Sequence, residues 1–542
     1  MFEHKIYYPL KYEPRDIQID ALNFTKHNIN RGKKYILINA PTGIGKSYYS
    51  IMFINWYLNY VNNDAKFDLL TNSKILQNQY VKEFPFIRSL KGKNSYTCDT
   101  YNCSCQEGKE LNLALKKKCE DCPYDEAFKD WTLSNTSLTN FHLFNTIHIF
   151  LPKLVESKKC NVLIIDEADS FESVLCDYIS MKISQRSLKL IGFSDANIGH
   201  ISKEMSGIKN IFQYIDFVKN YFINYLHNLY DSIQEKVGNP SVIQSERIKL
   251  SKYLGNIKNS IESYDTFLKD IDEDEGNVNN WAIDITKEDS RIFPYSYSIQ
   301  PVWSHKYLEK IIWKHYDHII FMSGTILNKD IFSYINGLDP KLCSYYSVPS
   351  PYDIKNRPIY YIKVGKMTYT EKQKTWEKQK AVIDKIIKKN KNNKGIIHTS
   401  TYEISNWVQE YYKNDSRFIF HKTDDRDQAL HTHITSKKPT ILVSPSMMTG
   451  VDLKDELSRF QIILKIPYPN ISSNKIKKRQ EDNKDWYSWK TVADLIQSYG
   501  RSIRSDDDFA ETYILDESFS NILRYNYKFL PEWFTDAIKT LK

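Results

Sequence analysis

The octapeptide Ala40-Pro41-Thr42-Gly43-Ile44-Gly45-Lys46-Ser47 constrains the fold more than any other part of this chain. It lies between the apolar run Lys34–Asn39 (KYILIN) and a helical stretch from Ser47 to about Tyr60. A glycine-bearing turn that leaves a buried strand and opens a helix points several backbone N–H groups into one cavity. The positive end of the helix dipole lies beside them. Lys46 is placed to reach terminal phosphates, and the Ser47 hydroxyl to ligate Mg²⁺. Ala40 stands where the strictest form of this loop has glycine. Such a turn needs a parallel sheet covered on both faces, and the following segments supply one. Phe67–Thr71 (FDLLT) reads as a strand, Asn72–Phe84 as a helix and Asn161–Asp166 (NVLIID) as a strand.

That last strand ends in Asp166-Glu167-Ala168-Asp169. An aspartate at a strand end can hold the Mg²⁺ bound to Ser47, and the next glutamate can orient and deprotonate an attacking water. The third element is Gln497-Ser498-Tyr499-Gly500-Arg501-Ser502-Ile503-Arg504. Its arginines at i and i+3 share one helical face and suit charge developing on a γ-phosphate. Together these pieces describe hydrolysis of a nucleoside triphosphate in a cleft between two domains.

The rest of the chain fits two α/β domains with inserted material. Ser170–Ser290 turns to long helical stretches such as Ile211–Val237, with the acidic run Asp272–Glu275 read as a solvated loop. Strand-like runs resume at His318–Met322, Gly395–His398, Thr440–Ser444, Gln461–Lys465 and Thr512–Asp516, with a linker at Ser347–Arg357. The formal charge is +9, from 75 Lys+Arg against 66 Asp+Glu, which permits a polyanion partner without identifying one. No apolar run reaches the roughly 18 residues of a membrane span, and the start lacks the layout of a signal peptide. An intracellular protein, cytoplasmic or nucleoid-associated and open to a phage or viral source, is expected, with no membrane partner.

Five of the 8 cysteines cluster as Cys98-x₄-Cys103-x-Cys105-x₁₃-Cys119-x₂-Cys122. Thiolates at such spacing suit zinc or an iron–sulfur cluster, and spacing alone favours structural zinc. Lys91, Lys93 and Lys116–Lys118, with Tyr96, Tyr101 and Tyr124, offer charge and ring faces for a nucleic acid.

In order along nearly the whole chain, these motifs resemble the DinG/XPD branch of superfamily 2 helicases. Pro14-Arg15-x-x-Gln18 resembles that family's adenine-recognising Q motif, and Ala40–Ser47 its first motif. Leu70-Thr71-x₄-Leu76-x₂-Gln79, Lys91–Cys98 and Thr139-Asn140-Phe141-His142 are similar to its next three. Ser323-Gly324-Thr325, Asn356-Arg357, Gly450-Val451-Asp452-Leu453, Lys465–Pro469 and Gln497–Arg504 with Asp508 follow in family order. Asp169 departs from the pattern: it stands where this branch has histidine and must take over that residue's coupling work.

The resemblance implies an α/β fold of two RecA-like parallel-sheet domains with an inserted cysteine-cluster domain and a helical arch domain. It places the first RecA-like domain at 1–88, 139–180 and 296–345, the cluster domain at 89–138, the arch at 181–295 and the second RecA-like domain at 346–542. It implies ATP and Mg²⁺ as cofactors, with Lys46, Asp166, Glu167, Arg501 and Arg504 catalytic. Arg15, Gln18, Thr42, Gly43, Ile44, Gly45, Ser47, Asp452 and Gln497 would bind nucleotide, and Asp169, Ser323, Gly324 and Thr325 would couple. It also reverses the metal order: a 4Fe–4S cluster on Cys98, Cys103, Cys119 and Cys122, Cys105 being the alternative to Cys103 and Zn²⁺ the alternative metal. The implied activity is a monomeric 5′→3′ translocase on single-stranded DNA that unwinds forked duplexes. An ATP-driven remodeller that does not separate strands and an ATP-gated nucleic-acid clamp are the competing readings.

Overall fold

Continuous apolar strands need cover on both faces, and this chain meets that need twice. The computed structural model describes residues 8–117, 119, 121–445, 453, 455–500 and 508–541. Its first domain holds β1 (Tyr35–Asn39), β2 (Phe67–Thr71), β3 (Arg88–Ser89), β4 (Thr136–Asn140), β5 (Val162–Asp166), β6 (His318–Ser323) and β7 (Cys343–Ser347). They form a parallel sheet in the order β7-β1-β6-β5-β2-β4-β3. The register sets Asn39 beside Ser323 and Met322 beside Asp166. The carboxyl ends of β1, β6 and β5 are therefore level, and three of the expected motifs meet there.

The second domain repeats the architecture with β8 (Ile359–Gly365), β9 (Gly395–His398), β10 (Phe418–Ile419), β11 (Ile441–Ser444), β12 (Phe460–Ile463), β13 (Glu511–Asp516) and β14 (Ile538–Leu541). Their order is β10-β11-β9-β12-β13-β8-β14, again parallel. The mostly exposed edge strand β14 has no counterpart among the expected strands, because it lacks an apolar run. None of the described helices is long and apolar enough to cross a membrane.

Two insertions leave the first sheet. Between β3 and β4 lie the hairpin Thr97–Cys98/Cys103–Ser104 and the helices Cys105–Leu115 and Pro123–Leu133. Between β5 and β6 a helical insert stands on an antiparallel sheet of Met181–Ile183, Tyr295–Pro301 and Trp281–Lys287. The middle strand of that sheet runs to Pro301. The helical stretch from Ile211 continues to Gly238 with a π-turn at Val218–Phe222. The helix Gln244–Glu273 packs on Cys105–Leu115, where a Cβ at Gly255 would sit 3.2 Å from Gln106 Nε2.

One expectation is corrected here: the acidic run from Asp272 is not simply a solvated loop. Asp272 and Glu273 end the long helix, where acids oppose the helix dipole. Lys219 and Lys310 offset them by pairing with Asp272 at 2.8 Å and Glu273 at 2.7 Å.

Burial also creates an acid-sensitive spot. His148, in the helix Phe141–Phe150, is 5% exposed and sits against the Phe144 carbonyl and Tyr316. Burial pushes its imidazole down to about 4 from the ordinary 6.5. The unfolded chain therefore takes up this proton first. The stability that neutral His148 contributes is full above pH ~6.5 and lost as pH falls to ~4, a loss of about 3 kcal/mol. Denaturant melts at pH 7 and pH 4.5 should show this loss, and it should shrink in a His148→Gln variant.

Candidate active site

The loop between β1 and the helix Lys46–Tyr60 is shaped by Gly43 and Gly45, both left-handed, with φ of 83° and 81°. A second element holds it from outside. Gln18 is buried, and its Nε2 donates to the Ile44 and Gly45 carbonyls at 2.8 and 3.1 Å. Arg15 Nη1 donates to the Gly43 carbonyl at 3.0 Å. The amide of Gln18 thus braces the loop backbone, with Ile44 buried beneath. Gly324 approaches from β6, where a Cβ would lie 3.4 Å from the Ala40 carbonyl oxygen.

Lys46 links the loop to the acids at the end of β5. Its Nζ lies 3.0 Å from Glu167 Oε1 and 3.9 Å from Asp166 Oδ1. Ser47, half-buried, follows it in the first turn of the helix. Asp166 also accepts from the Glu167 N–H at 3.0 Å and from the Tyr80 hydroxyl at 3.2 Å. Burial pushes the Asp166 carboxyl up to about 6; Lys46 opposes the rise and Glu167 adds to it. A buried carboxylate whose charge is only partly compensated is a receptive ligand for a hard cation such as Mg²⁺. Nothing local marks Tyr80 as part of this site; only the packing of its helix on β2 and β4 brings its hydroxyl to Asp166.

Asp169 is held from both domains. Ser323 Oγ donates to its Oδ1 at 2.5 Å, and Gln497 Nε2 donates to its Oδ2 at 3.1 Å and to Thr325 Oγ1 at 2.9 Å. Burial, with Glu167 nearby, raises its carboxyl above the ordinary range. Gln497 belongs to the helix Lys484–Tyr499 of the second domain. That helix ends where Thr42 Oγ1 donates to the Gly500 carbonyl at 3.2 Å. The loop, the acids, Ser323–Thr325 and Gln497 are thus gathered at one cleft. Asp452, Arg501 and Arg504 lie outside the described residues. Arg357, of the expected Asn356-Arg357 motif, closes one side: it is buried and forks onto Asp536 at 2.9 and 3.1 Å.

The cysteines come together as pairs. Cys98 Sγ lies 3.6 Å from Cys119 Sγ, and Cys119 accepts from Asn112 Nδ2 at 2.9 Å. Cys105 is buried, with Cys122 close enough to raise its thiol further. Cys103, paired with Cys98 across the hairpin, turns its thiol toward the Ser104 carbonyl. Cys105 opens one helix and Cys122 caps another, positions where the helix dipole favours thiolate. Burial nonetheless pushes the Cys105 and Cys103 thiols up to about 11. The donors suit a soft metal, but no three His, Cys, Asp or Glu side chains converge into a metal-holding group among the described residues. A metal would have to draw the pairs together.

Tyr124 is not an open stacking face: it is 9% exposed, stacked on Phe128, with Lys93 Nζ 5.3 Å from its ring centroid. Tyr101 is tied to Asn112 at 3.0 Å.

Comparison with known proteins places these features in context. Residues 11–194 match the family described as Type III restriction enzyme, res subunit, and residues 383–537 the family described as Helicase C-terminal domain. The ATP-dependent DNA helicase CHL1 of Vanderwaltozyma polyspora is 28% identical over 132 residues, covering 20% of this chain and 16% of the relative. The regulator of telomere elongation helicase 1 homolog of Caenorhabditis elegans is 26% identical over 105 residues, 16% of this chain and 10% of the relative. The matched stretches thus span a small part of those relatives' lengths. A solved structure called "XPD_Helicase" superposes with a TM-score of 0.68 at 15% identity, covering 98% of this chain and all of that one. The Xpd4 structure from S. tokodaii gives 0.56 at 14% identity, over 97% of this chain. Both structural likenesses speak for the fold.

Proposed function

We propose that this chain, which belongs to the DinG/XPD-like group of superfamily 2 helicases, is an ATP-dependent DNA helicase moving 5′→3′ on single-stranded DNA and separating forked duplexes. The observation that carries the reading is the cleft itself, where Gln497 of one domain meets Asp169 of the other at 3.1 Å beside the phosphate loop. In this reading the Gly43 and Gly45 region, Thr42 and Lys46 take the phosphates, and Ser47 and Asp166 hold Mg²⁺. The phosphates draw Lys46 away from Glu167, freeing that carboxylate to orient and deprotonate water. Arg15 and Gln18 stand on the adenine side, Asp452 completes the nucleotide contacts, and Arg501 and Arg504 meet the γ-phosphate charge. Asp169, bridging Ser323 and Gln497, passes the nucleotide's state between domains. Residues 89–138 and the helical insert from 181 are the cluster and arch domains, and the protein acts inside the cell as a monomer.

Strand displacement on forks with either a 5′ or a 3′ tail, with ATP turnover measured in parallel, tests this. Displacement from the 5′-tailed fork alone is expected. Turnover stimulated by single strands without displacement would select the remodeller, and ATP binding without turnover the clamp.

A 4Fe–4S cluster on Cys98, Cys119, Cys122 and a fourth thiol belongs to the same reading. Burial of Cys105 near Cys122, with the Cys103 thiol turned to the Ser104 carbonyl, supports Cys105 over Cys103 as that fourth ligand. Under anaerobic purification, Cys105→Ser should lose iron and visible absorption, while Cys103→Ser should keep both. A colourless wild-type protein holding a single equivalent of zinc would replace iron–sulfur with zinc.

A further inference from the structure

The cleft described above leaves a cavity of about 40 Å³ between the loop and the end of the helix Lys484–Tyr499. In the motor reading, nucleotide binding and release move the second domain against the first. Movement needs a point that stays fixed, and one contact between the domains has that character.

Arg479, in the helix Asn474–Asp482 of the second domain, is 5% exposed and faces Glu172, 4% exposed, in the first. Its Nη2 lies 2.6 Å from Glu172 Oε1, and its Nε donates to the Val302 carbonyl at 2.6 Å. The guanidinium carbon sits 4.5 Å from the Trp303 ring centroid and 5.2 Å from that of Trp486. Around it the same helix grips the base sheet of the insert. Ser473 Oγ and the Asn474 N–H donate to Asp284 at 2.8 and 2.7 Å, and Lys478 Nζ donates to the Trp281 carbonyl at 2.8 Å. A buried ion pair adds little net stability against an apolar pair of equal size, but it holds a unique register. A planar guanidinium stacked on indoles and bonded at its edge has one orientation.

The two ends of this arrangement differ. Glu172 lies three residues beyond Asp169, one helical turn from the nucleotide acids. Trp486 and Trp489 lie in the first turns of the 16-residue helix Lys484–Tyr499, and Gln497, which meets the cleft, lies about 16 Å along the axis from Trp486. At the Arg479 end the charges are dry and stacked. At the cleft end, hydrogen bonds of Gln497 and Thr42 hold the domains beside a small cavity.

We propose that Arg479, through Glu172, is a positioning residue: the pair is the fixed pivot on which the second domain turns, and the helix Lys484–Tyr499 is the arm that carries Gln497 to and from Asp169. This rests on the ATP-driven motor reading.

A covalent lock tests it in the full chain. Asp284→Cys with Ser473→Cys, oxidised, ties the pivot shut; the reduced double variant and wild-type protein treated identically are the controls. DNA-stimulated ATP turnover of the locked protein should stay within about twofold of the reduced form. A loss of about tenfold or more on oxidation, reversed by reduction, would show that this contact must part and would overturn the pivot alone. Wild-type protein without ATP turnover would overturn the motor reading and the pivot with it. Arg479→Met, which leaves Glu172 buried without its partner, should lower turnover by about tenfold. Glu172→Leu/Arg479→Met should restore the melting temperature and leave turnover low. If both returned, the pair would be packing alone and not a pivot.

Discussion

Replacing Lys46 by alanine is expected to reduce ATP turnover by ~10²–10³-fold, the scale seen when one preorganised charge is removed from a transition state. The lysine has two jobs at one atom. It is the cation of a loop whose other donors are neutral N–H groups, and its Nζ, 3.0 Å from Glu167 and 3.9 Å from Asp166, offsets two acids in a buried site. Without it, the Asp166 carboxyl, already raised by burial, is driven further toward its neutral form, which is a poor Mg²⁺ ligand. Phosphate release at saturating ATP and single-stranded DNA measures the loss. Glu167→Gln is the companion variant: it keeps the loop cation and should retain nucleotide binding while losing turnover to a similar degree. Equal turnover in Lys46→Ala and wild-type protein would remove this site from the chemistry.

The second large effect is on stability. Lys158→Met should destabilise the first domain by ~3–5 kcal/mol, because it strands a buried carboxylate. Lys158 Nζ lies 2.5 Å from Asp68 Oδ1 and 3.6 Å from the centre of the Trp131 ring. Asp68 also accepts from Ser137 Oγ at 2.6 Å and the Tyr316 hydroxyl at 2.8 Å, and all five residues are buried. The network joins β2, β4, the approach to β6 and the helix Pro123–Leu133 of the cysteine-bearing insert. Burial alone would raise the Asp68 carboxyl, but Lys158 and the two hydroxyls together hold it down at about 2. Its contribution is therefore present above the unfolded value near 4 and lost as pH falls through 2, worth roughly 2 kcal/mol. Denaturant melts of Lys158→Met and of Asp68→Leu/Lys158→Met form the test. The double variant should recover most of the loss, since apolar replacement of a buried pair is often neutral. A single variant as stable as wild type would mean that Asp68 reaches solvent.

How far each feature could be read in advance follows from the range of the forces behind it. The strands Phe67–Thr71 and Gly395–His398 stand where apolar runs bounded by turn residues place them. The helix after the phosphate loop was legible because glycine, strand and helix are contiguous. The charged run from Asp272 was misjudged because the lysines that offset its helix-end position, Lys219 and Lys310, are distant in sequence. Asp68 inside FDLLT carries no local sign of its role. Its partner lies 90 residues away, and no local pattern announces it.

Sequence alone determined the motifs that carry chemistry, since each is a short segment whose residue types and spacing are fixed by local geometry. It also determined the two covered parallel sheets, because alternating apolar strands and amphipathic helices have few other ways to bury their faces. Tertiary structure alone decided what those motifs touch. Asp169 lies between Ser323 and Gln497, Cys98 meets Cys119, and Arg479 is stacked and paired with Glu172 across 307 residues of chain. Such contacts depend on sheet register and domain docking, which sum many weak interactions along the whole chain and leave no mark at any one position.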